Sequence, residues 1–311
     1  MSSLTRPEFG QNDLHALKSE EASFRDREAR IVYLGDRVIR LLNAKASEDW
    51  QQLTASDFYK NMMASGQCVG TTELGPLEFS DETETSFSYA LEHERIPFVS
   101  YPYEWSFGML KDAALLQLEL TISALESNIA MKDASAYNIQ WVGHRPQFID
   151  MASFETYSEG QPWKGHRQFC QLFLFPLMLN AYKDLPFQPW LRSYLDGIPS
   201  AHMAKLFQPL DALFKKGVLV NIFLHSHLEK MGASGQGNTQ AVSIDKMLVL
   251  ESLKKMKTLV SQLEWKASRS TWGDYDNNNT YGDPEREAKE AFVSESLQAT
   301  GCSNKLTWDL G

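Results

Sequence analysis

The sequence predicts an α+β chain of two lobes, a small sheet-rich lobe followed by a larger helical one. Short β-branched and aromatic runs bounded by turn residues fill the first hundred positions, beginning with Ile31-Val32-Tyr33-Leu34, Gly35-Asp36 and Val38-Ile39-Arg40-Leu41-Leu42. Apolar residues then recur at three- and four-residue spacing through Phe107, Leu110, Ala114, Leu118, Thr121, Leu125 and Ile129, the mark of a long buried helix. With 311 residues, 43% hydrophobic and 23% charged, the chain is long enough to bury a sizeable core. The expected boundaries are 1–98 for the sheet-rich lobe, 99–268 for the helical lobe, and 269–311 for a linker and the start of something further.

Each element has a local reason. Gly35-Asp36 between two apolar runs predicts a hairpin. Thr54 or Ser56 can cap a helix that runs through Met63 and stops at Gly66, with Cys68 to Thr72 as a strand beyond it. Phe87 to Leu91 and Pro97 to Tyr103 read as further strands. After the long helix comes a polar loop, Lys132 to Tyr137, and then two short apolar runs, Ile139 to Val142 and Gln147 to Ile149, around Gly143-His144-Arg145-Pro146. From Trp163 to Leu179 and from Pro189 to Leu228 the pattern is helical, broken at Pro176, Pro186, Pro199 and Pro209. Residues 232–240 form a flexible loop, Leu248 to Leu263 one more amphipathic helix, and 266–284 a linker before a charged helix from Tyr281 to Leu297.

Charge and composition exclude several partners. Forty acidic against thirty basic residues give a net charge of −10, which repels a phosphate backbone, so no nucleic acid is expected. Apolar runs such as Phe173 to Leu179 fall short of the roughly 20 residues that cross a bilayer, so a cytoplasmic chain with no membrane partner is expected. Cys68, Cys170 and Cys302 are odd in number and far apart, which predicts reduced thiols and no structural metal. Of seven histidines, His225 and His227 are the nearest pair, but i and i+2 project to different sides of a helix. His93 reads as a core histidine, His144 as a turn residue, and His166 with Arg167 as cleft-facing.

The chemistry-bearing constellation lies in the polar loop and just beyond it. Asp133 and Asn138 share the loop, and a hairpin folded back would bring Asp150 beside them. Phosphoryl transfer needs a carboxylate to orient the attacking hydroxyl and hard oxygen ligands to hold Mg²⁺ against the phosphates. Asp133 can serve as the first, Asn138 and Asp150 as the second.

Over about residues 99–200 this pattern resembles the protein-kinase-like fold, and more closely its aminoglycoside phosphotransferase-type branch. The resemblance implies that Asp133 is the catalytic aspartate, that Asn138 and Asp150 bind magnesium, and that Tyr101-Pro102-Tyr103-Glu104-Trp105 lies near the interlobe hinge, with Tyr103 and Glu104 as ATP contacts. Gly160-Gln161-Pro162-Trp163 and the helix after it are similar to the family's segment beyond the metal aspartate. Met131 stands where the family commonly has His, and Met151-Ala152 where it has Phe-Gly. No Gly-rich phosphate loop or Val-Ala-Ile-Lys strand is present, and Arg40 is the expected substitute for the nucleotide lysine. The implied activity is transfer of the ATP γ-phosphate to a small-molecule or sugar hydroxyl. The alternative is an inactive kinase-like binding or regulatory module.

Lys305-Leu306-Thr307-Trp308-Asp309-Leu310-Gly311 is similar to the strand and opening turn of class I S-adenosylmethionine-dependent methyltransferases, in which glycines let the backbone approach the cofactor. Together with Tyr101 to Trp105, Lys132 to Gln140 and Phe148 to Glu155, it makes the chain resemble the N-terminal portion of NoeA-type nodulation proteins and related bacterial methyltransferases. That resemblance implies a downstream methyltransferase domain as partner and no methyl transfer by these residues alone.

Overall fold

In the computed structural model the described residues are 18–19, 28–77, 87–227, 229, 243–266 and 282–301. Contacts divide the chain into two compact units, Met1–Trp265 and Lys266–Gly311. Within the first, the N-terminal part is sheet-rich and the C-terminal part helical. Five strands, β1 (Lys18–Ser19), β2 (Ala29–Leu34), β3 (Arg37–Asn43), β4 (Thr71–Pro76) and β5 (Phe87–His93), form one antiparallel sheet in the order β1-β2-β3-β5-β4. Gly35 takes φ +59° in the tight turn that pairs Leu34 with Arg37, as the Gly35-Asp36 signal predicts.

Strand alternation decides which side chains of β3 face which way. Ile39 and Leu41 pack with Val32, Phe87 and Ala90 on one side of the sheet. Leu42 joins Trp50, Leu53 and the main core on the other. Arg40, two positions from Leu42, shares that second face.

Between β3 and β4 lie α1 (Ala44–Ala55) and α2 (Asp57–Ala64). Of the two expected caps, Ser56 and not Thr54 serves, and a further helix, α1, precedes it because Asn43 at the end of β3 accepts a bond from Ala46 N at 2.8 Å. Ser56 caps α2, accepting from Tyr59 N. The expected strand at Pro97 to Tyr103 is instead a loop and a 3₁₀ turn, Pro102–Glu104. Ser100 has no need of a strand partner there, since its N–H donates to Gln140 Oε1 at 2.9 Å and its carbonyl accepts from Gln140 Nε2 at 3.1 Å.

The long helix is α3 (Phe107–Glu126), capped by Ser106. It ends before Ile129 because Asn128 turns left-handed at φ +59°, and Ile129 opens β6 (Ile129–Met131). β7 (Ile139–Val142) and β8 (Arg145–Phe148) form the expected hairpin, and β6 pairs antiparallel with β9 (Phe154–Thr156). Cys68 is no part of β4; it makes a single bridge to Phe148, and Val69 N donates to Phe148 O at 2.9 Å.

Beyond β9 the chain is helical: α4 (His166–Phe169), α5 (Phe175–Lys183), α6 (Gln188–Ser193), α7 (Ser200–Leu206), α8 (Asp211–Phe214) and α9 (Lys246–Gln262). Pro176 does not break the helix as expected. A π turn, Cys170–Leu174, precedes it, with Phe175 N donating to Cys170 O, so the missing proline N–H falls where the ladder is already re-registered. A second π turn spans Leu219–Leu224. Lys254 and Lys257 of α9 pair with Glu126 and Glu119 of α3 at 3.1 and 2.9 Å. No helix among the described residues is long and apolar enough to cross a membrane.

Gly197 locks the first π turn. Ile198 N donates to Gln171 O at 2.9 Å, and a Cβ on Gly197, at φ +86°, would sit 2.4 Å from Gln171 C and O. Gly197→Ala is therefore expected to destabilise the fold by about 3 kcal/mol, combining left-handed strain with a backbone clash. Gly35→Ala, left-handed but with nothing within 4 Å of its added Cβ, should lose about 1 kcal/mol. Urea denaturation of both variants checks the difference; equal losses would show that the clash relaxes.

In the second unit, α10 (Asp283–Ala299) buries none of its residues and begins with Gly282 N donating to Glu285 Oε2 at 2.9 Å. The methyltransferase-like segment from Lys305 to Gly311 lies outside the described residues.

Candidate functional site

The β6–β7 loop, the end of β8 and the inner face of β3 meet around one carboxylate. Met131 closes β6, and the next residues are held from several sides. Lys132 pairs with Glu28, whose carboxyl is kept below its ordinary range by that hydrogen bond. Asp133 O accepts from Gln117 Nε2 at 3.2 Å, and Ala134 N donates to Gln168 Oε1 at 2.7 Å. Ser135 Oγ accepts from Tyr137 N at 3.2 Å, starting the 3₁₀ turn Ala136–Asn138. The Asp133 side chain itself is exposed.

Two bonds bring Asn138 and Asp150 together. Ile149 N donates to Asn138 O at 2.9 Å, which sets the hairpin beside the loop, and Asn138 Nδ2 lies 3.5 Å from Asp150 Oδ2. Ser153 Oγ donates to the same Oδ2. On the other oxygen sits Arg40: its Nη1 is 2.7 Å from Asp150 Oδ1, and its Nη2 donates to Ile149 O at 3.2 Å. The Arg40 side chain is only 8% exposed and that of Asp150 21%, so this ion pair is largely withdrawn from water.

A neutral histidine holds the third donor of the guanidinium. Arg40 Nε donates to His93 Nε2 at 3.0 Å, so the ring carries its proton on Nδ1, 2.9 Å from Thr71 Oγ1. The Thr71 hydroxyl passes its own hydrogen to Val69 O at 3.0 Å. Burial, and after it the Arg40 charge, hold His93 well below its ordinary pKa, consistent with an imidazole that only accepts from Arg40. His93 is thus the core residue it reads as, with an added task of aiming Arg40.

Of the six candidate residues, Arg40, Asn138 and Asp150 are brought into contact, and Asp133 stands on the Asn138 loop. Tyr103 and Glu104 are not among the polar contacts of Asp150; they border an open cavity of about 630 Å³ with Gln188, Pro189, Arg192 and Ser193. Glu104 Oε2 accepts from Tyr101 N at 2.8 Å, and the Tyr101 and Tyr103 rings stack at 5.4 Å. His166 packs between Trp163 and His225, with ring centroids 6.0 and 5.4 Å away. Arg167 pairs with Glu229 at 2.9 Å. Sequence reasoning missed Ser153, Gln140 and Gln168; Ser153 three places after Asp150 is a local signal, whereas the two glutamines carry none.

These features define an α+β chain with a sheet-rich part, a helical part and a guanidinium–carboxylate–amide cluster where strand β3 meets the β7–β8 hairpin. No known protein-family profile matches it. The chain is similar to the nodulation protein NoeA of Rhizobium meliloti (strain 1021), 32% identical over 278 residues, which cover 88% of this chain and 58% of that protein. The similarity to NoeA-type nodulation proteins expected from the sequence is thus found, over a chain that spans less than two thirds of that relative.

Proposed function

We propose that the chain is a protein-kinase-like phosphotransferase module that moves the γ-phosphate of ATP to a small-molecule or sugar hydroxyl, with magnesium. The carrying observation is the Arg40–Asp150 pair. A cation on the third strand, set against the aspartate after the β7–β8 hairpin, is what phosphate binding beside a metal aspartate requires. The strand order β1-β2-β3-β5-β4, helices between β3 and β4, and the β6–β9 and β7–β8 pairs support the same architecture.

The donor set fits the metal. A carboxylate and a side-chain amide can supply hard oxygens, the ligands magnesium prefers; Asp150 would hold it together with Asn138, whose amide would turn its oxygen in place of the Nδ2 that faces Asp150, with the nucleotide phosphates completing the shell. Magnesium would neutralise phosphate charge. Asp133, exposed on the loop, would accept the hydroxyl proton, and Arg40 would turn from Asp150 toward the phosphates.

One observation favours a second reading, an inactive binding or regulatory module serving a methyltransferase domain. Both Asp150 oxygens already have protein partners, Arg40 and Ser153, so the cluster can also serve as a structural lock. Thermal shift with ATP, GTP and S-adenosylmethionine, each with and without Mg²⁺, separates the two readings. The phosphotransferase reading expects stabilisation by Mg-ATP of about 3 kcal/mol at a hundred times Kd, and its loss in Arg40→Met. No shift with either nucleotide would leave only the module.

A further inference from the structure

The helical part holds a second set of chemistry-bearing side chains, unrelated to Asp150. His166 and Cys170 are four residues apart, one above the other on a helix face. His225 and Glu229 repeat that spacing where the chain leaves the second π turn. The two pairs face each other: one ligand atom each from His166, Cys170 and His225 lie within 4.8 Å of one another. Cys170 Sγ is 3.9 Å from a nitrogen of His166, Nε2, and Glu229 Oε1 is 3.3 Å from His225 Nε2. A tetrahedral zinc, bonded at roughly 2.3 Å to sulfur and 2.0 Å to nitrogen or oxygen, separates its ligand atoms by roughly 3.3 to 3.6 Å. The His225–Glu229 pair stands at that separation, and the His166–Cys170 pair a few tenths of an ångström beyond it.

Packing alone leaves the cluster incomplete. His225 Nε2 is buried and closes no hydrogen bond; Glu229 Oε1, 2.9 Å from Arg167 Nε, is paired by charge only, while its Oε2 accepts from Ser200 Oγ. A buried polar atom without a partner costs about 1–3 kcal/mol, which a bound ion would offset. The cluster also adjoins both π turns, Cys170 opening the first and His225 following the second, and such turns are frequent at functional sites. Thiolate with imidazole is the donor chemistry of zinc rather than of magnesium.

We infer that His166, Cys170 and His225 bind one zinc ion, with the Glu229 carboxylate, which stands outside their 4.8 Å group, moving in to complete four-coordination. Binding releases the Cys170 thiol proton to water, and thiolate plus carboxylate balance the ion's two charges. The ion is structural. It cross-links α4 to the helix after Leu219–Leu224, and between its ligands His166 and Cys170 lies Gln168, the residue that accepts from Ala134 N in the Asp133 loop.

The test uses the full chain, purified without an affinity tag of histidines. About one equivalent of zinc by elemental mass spectrometry is expected. The metal-stripped chain titrated with Co²⁺ should develop thiolate-to-cobalt charge transfer and the intense visible bands of a tetrahedral ion. Cys170→Ser should lose the charge-transfer band, and Glu229→Gln should weaken cobalt binding on the order of 10–100-fold. His227→Ala, at an exposed position two residues from His225, should bind as the parent does. A folded parent chain that carries no zinc and gives no cobalt bands overturns the site, whatever the variants do. A charge-transfer band that survives in Cys170→Ser overturns it too, because the sulfur is then that of Cys68 or Cys302.

Discussion

Asp150→Asn is expected to abolish the magnesium-dependent part of nucleotide stabilisation while leaving any magnesium-independent shift in place. The amide keeps the shape and loses the charge that would hold the cation, and Asn138 alone offers one neutral oxygen. A second effect accompanies it. Arg40 is 8% exposed, and removing the charge of its partner leaves a buried guanidinium uncompensated, at roughly 3 kcal/mol of stability. The two effects separate in the double variant Arg40→Met with Asp150→Asn, which should recover much of the stability and none of the magnesium response. Magnesium-dependent ATP stabilisation that persists in Asp150→Asn removes the aspartate from the proposed metal site, even if the fold has been weakened.

Asp133→Ala is expected to behave in the opposite manner. Its side chain is exposed on the loop, so stability should change by no more than about 0.5 kcal/mol and the Mg-ATP shift should be retained. Phosphate transfer should fall by about 10²- to 10⁴-fold, the usual contribution of a positioned general base, with little change in KM for ATP. The assay is ATP consumption against a panel of sugars and small alcohols. Turnover retained in Asp133→Ala would deny this carboxylate its proposed part and transfer interest to another acceptor for the hydroxyl proton.

How much of this was legible in the sequence depended on the range of the interaction. The β2–β3 hairpin could be read because its turn chemistry and its alternation lie within fourteen residues, from Ala29 to Leu42. Arg40 was named only as a strand residue standing in for the lysine that the kinase-like resemblance calls for; its contact with Asp150 is a property of the fold. The meeting of Asn138 and Asp150 followed from a short hairpin. What escaped was long-range. Asn43 as a cap, Gln140 as the partner of Ser100, and His93 as the acceptor behind Arg40 depend on which elements pack together, and residue type alone carries no such information. The four-residue pairs at His166 and His225 were hidden in the same way: each is an ordinary helix spacing until the fold sets the two against one another across the 54 residues between Cys170 and His225, within a sequence expected to hold no structural metal.

The clasp between Gln140 and Ser100 bears on which purine the phosphotransferase reading would favour, since the kinase-like resemblance sets the ATP contacts beside it, at Tyr103 and Glu104. Ser100 N–H is taken by a glutamine side chain and Tyr101 N–H by Glu104, so neither amide is left to read the edge of an incoming base. Just before that clasp stands the apolar surface of Phe98 and Val99, 74% and 54% exposed. Adenine and guanine present similar faces to such a surface, and stacking grips both with comparable strength. A nucleotide admitted there would be chosen for its phosphates far more than for its base.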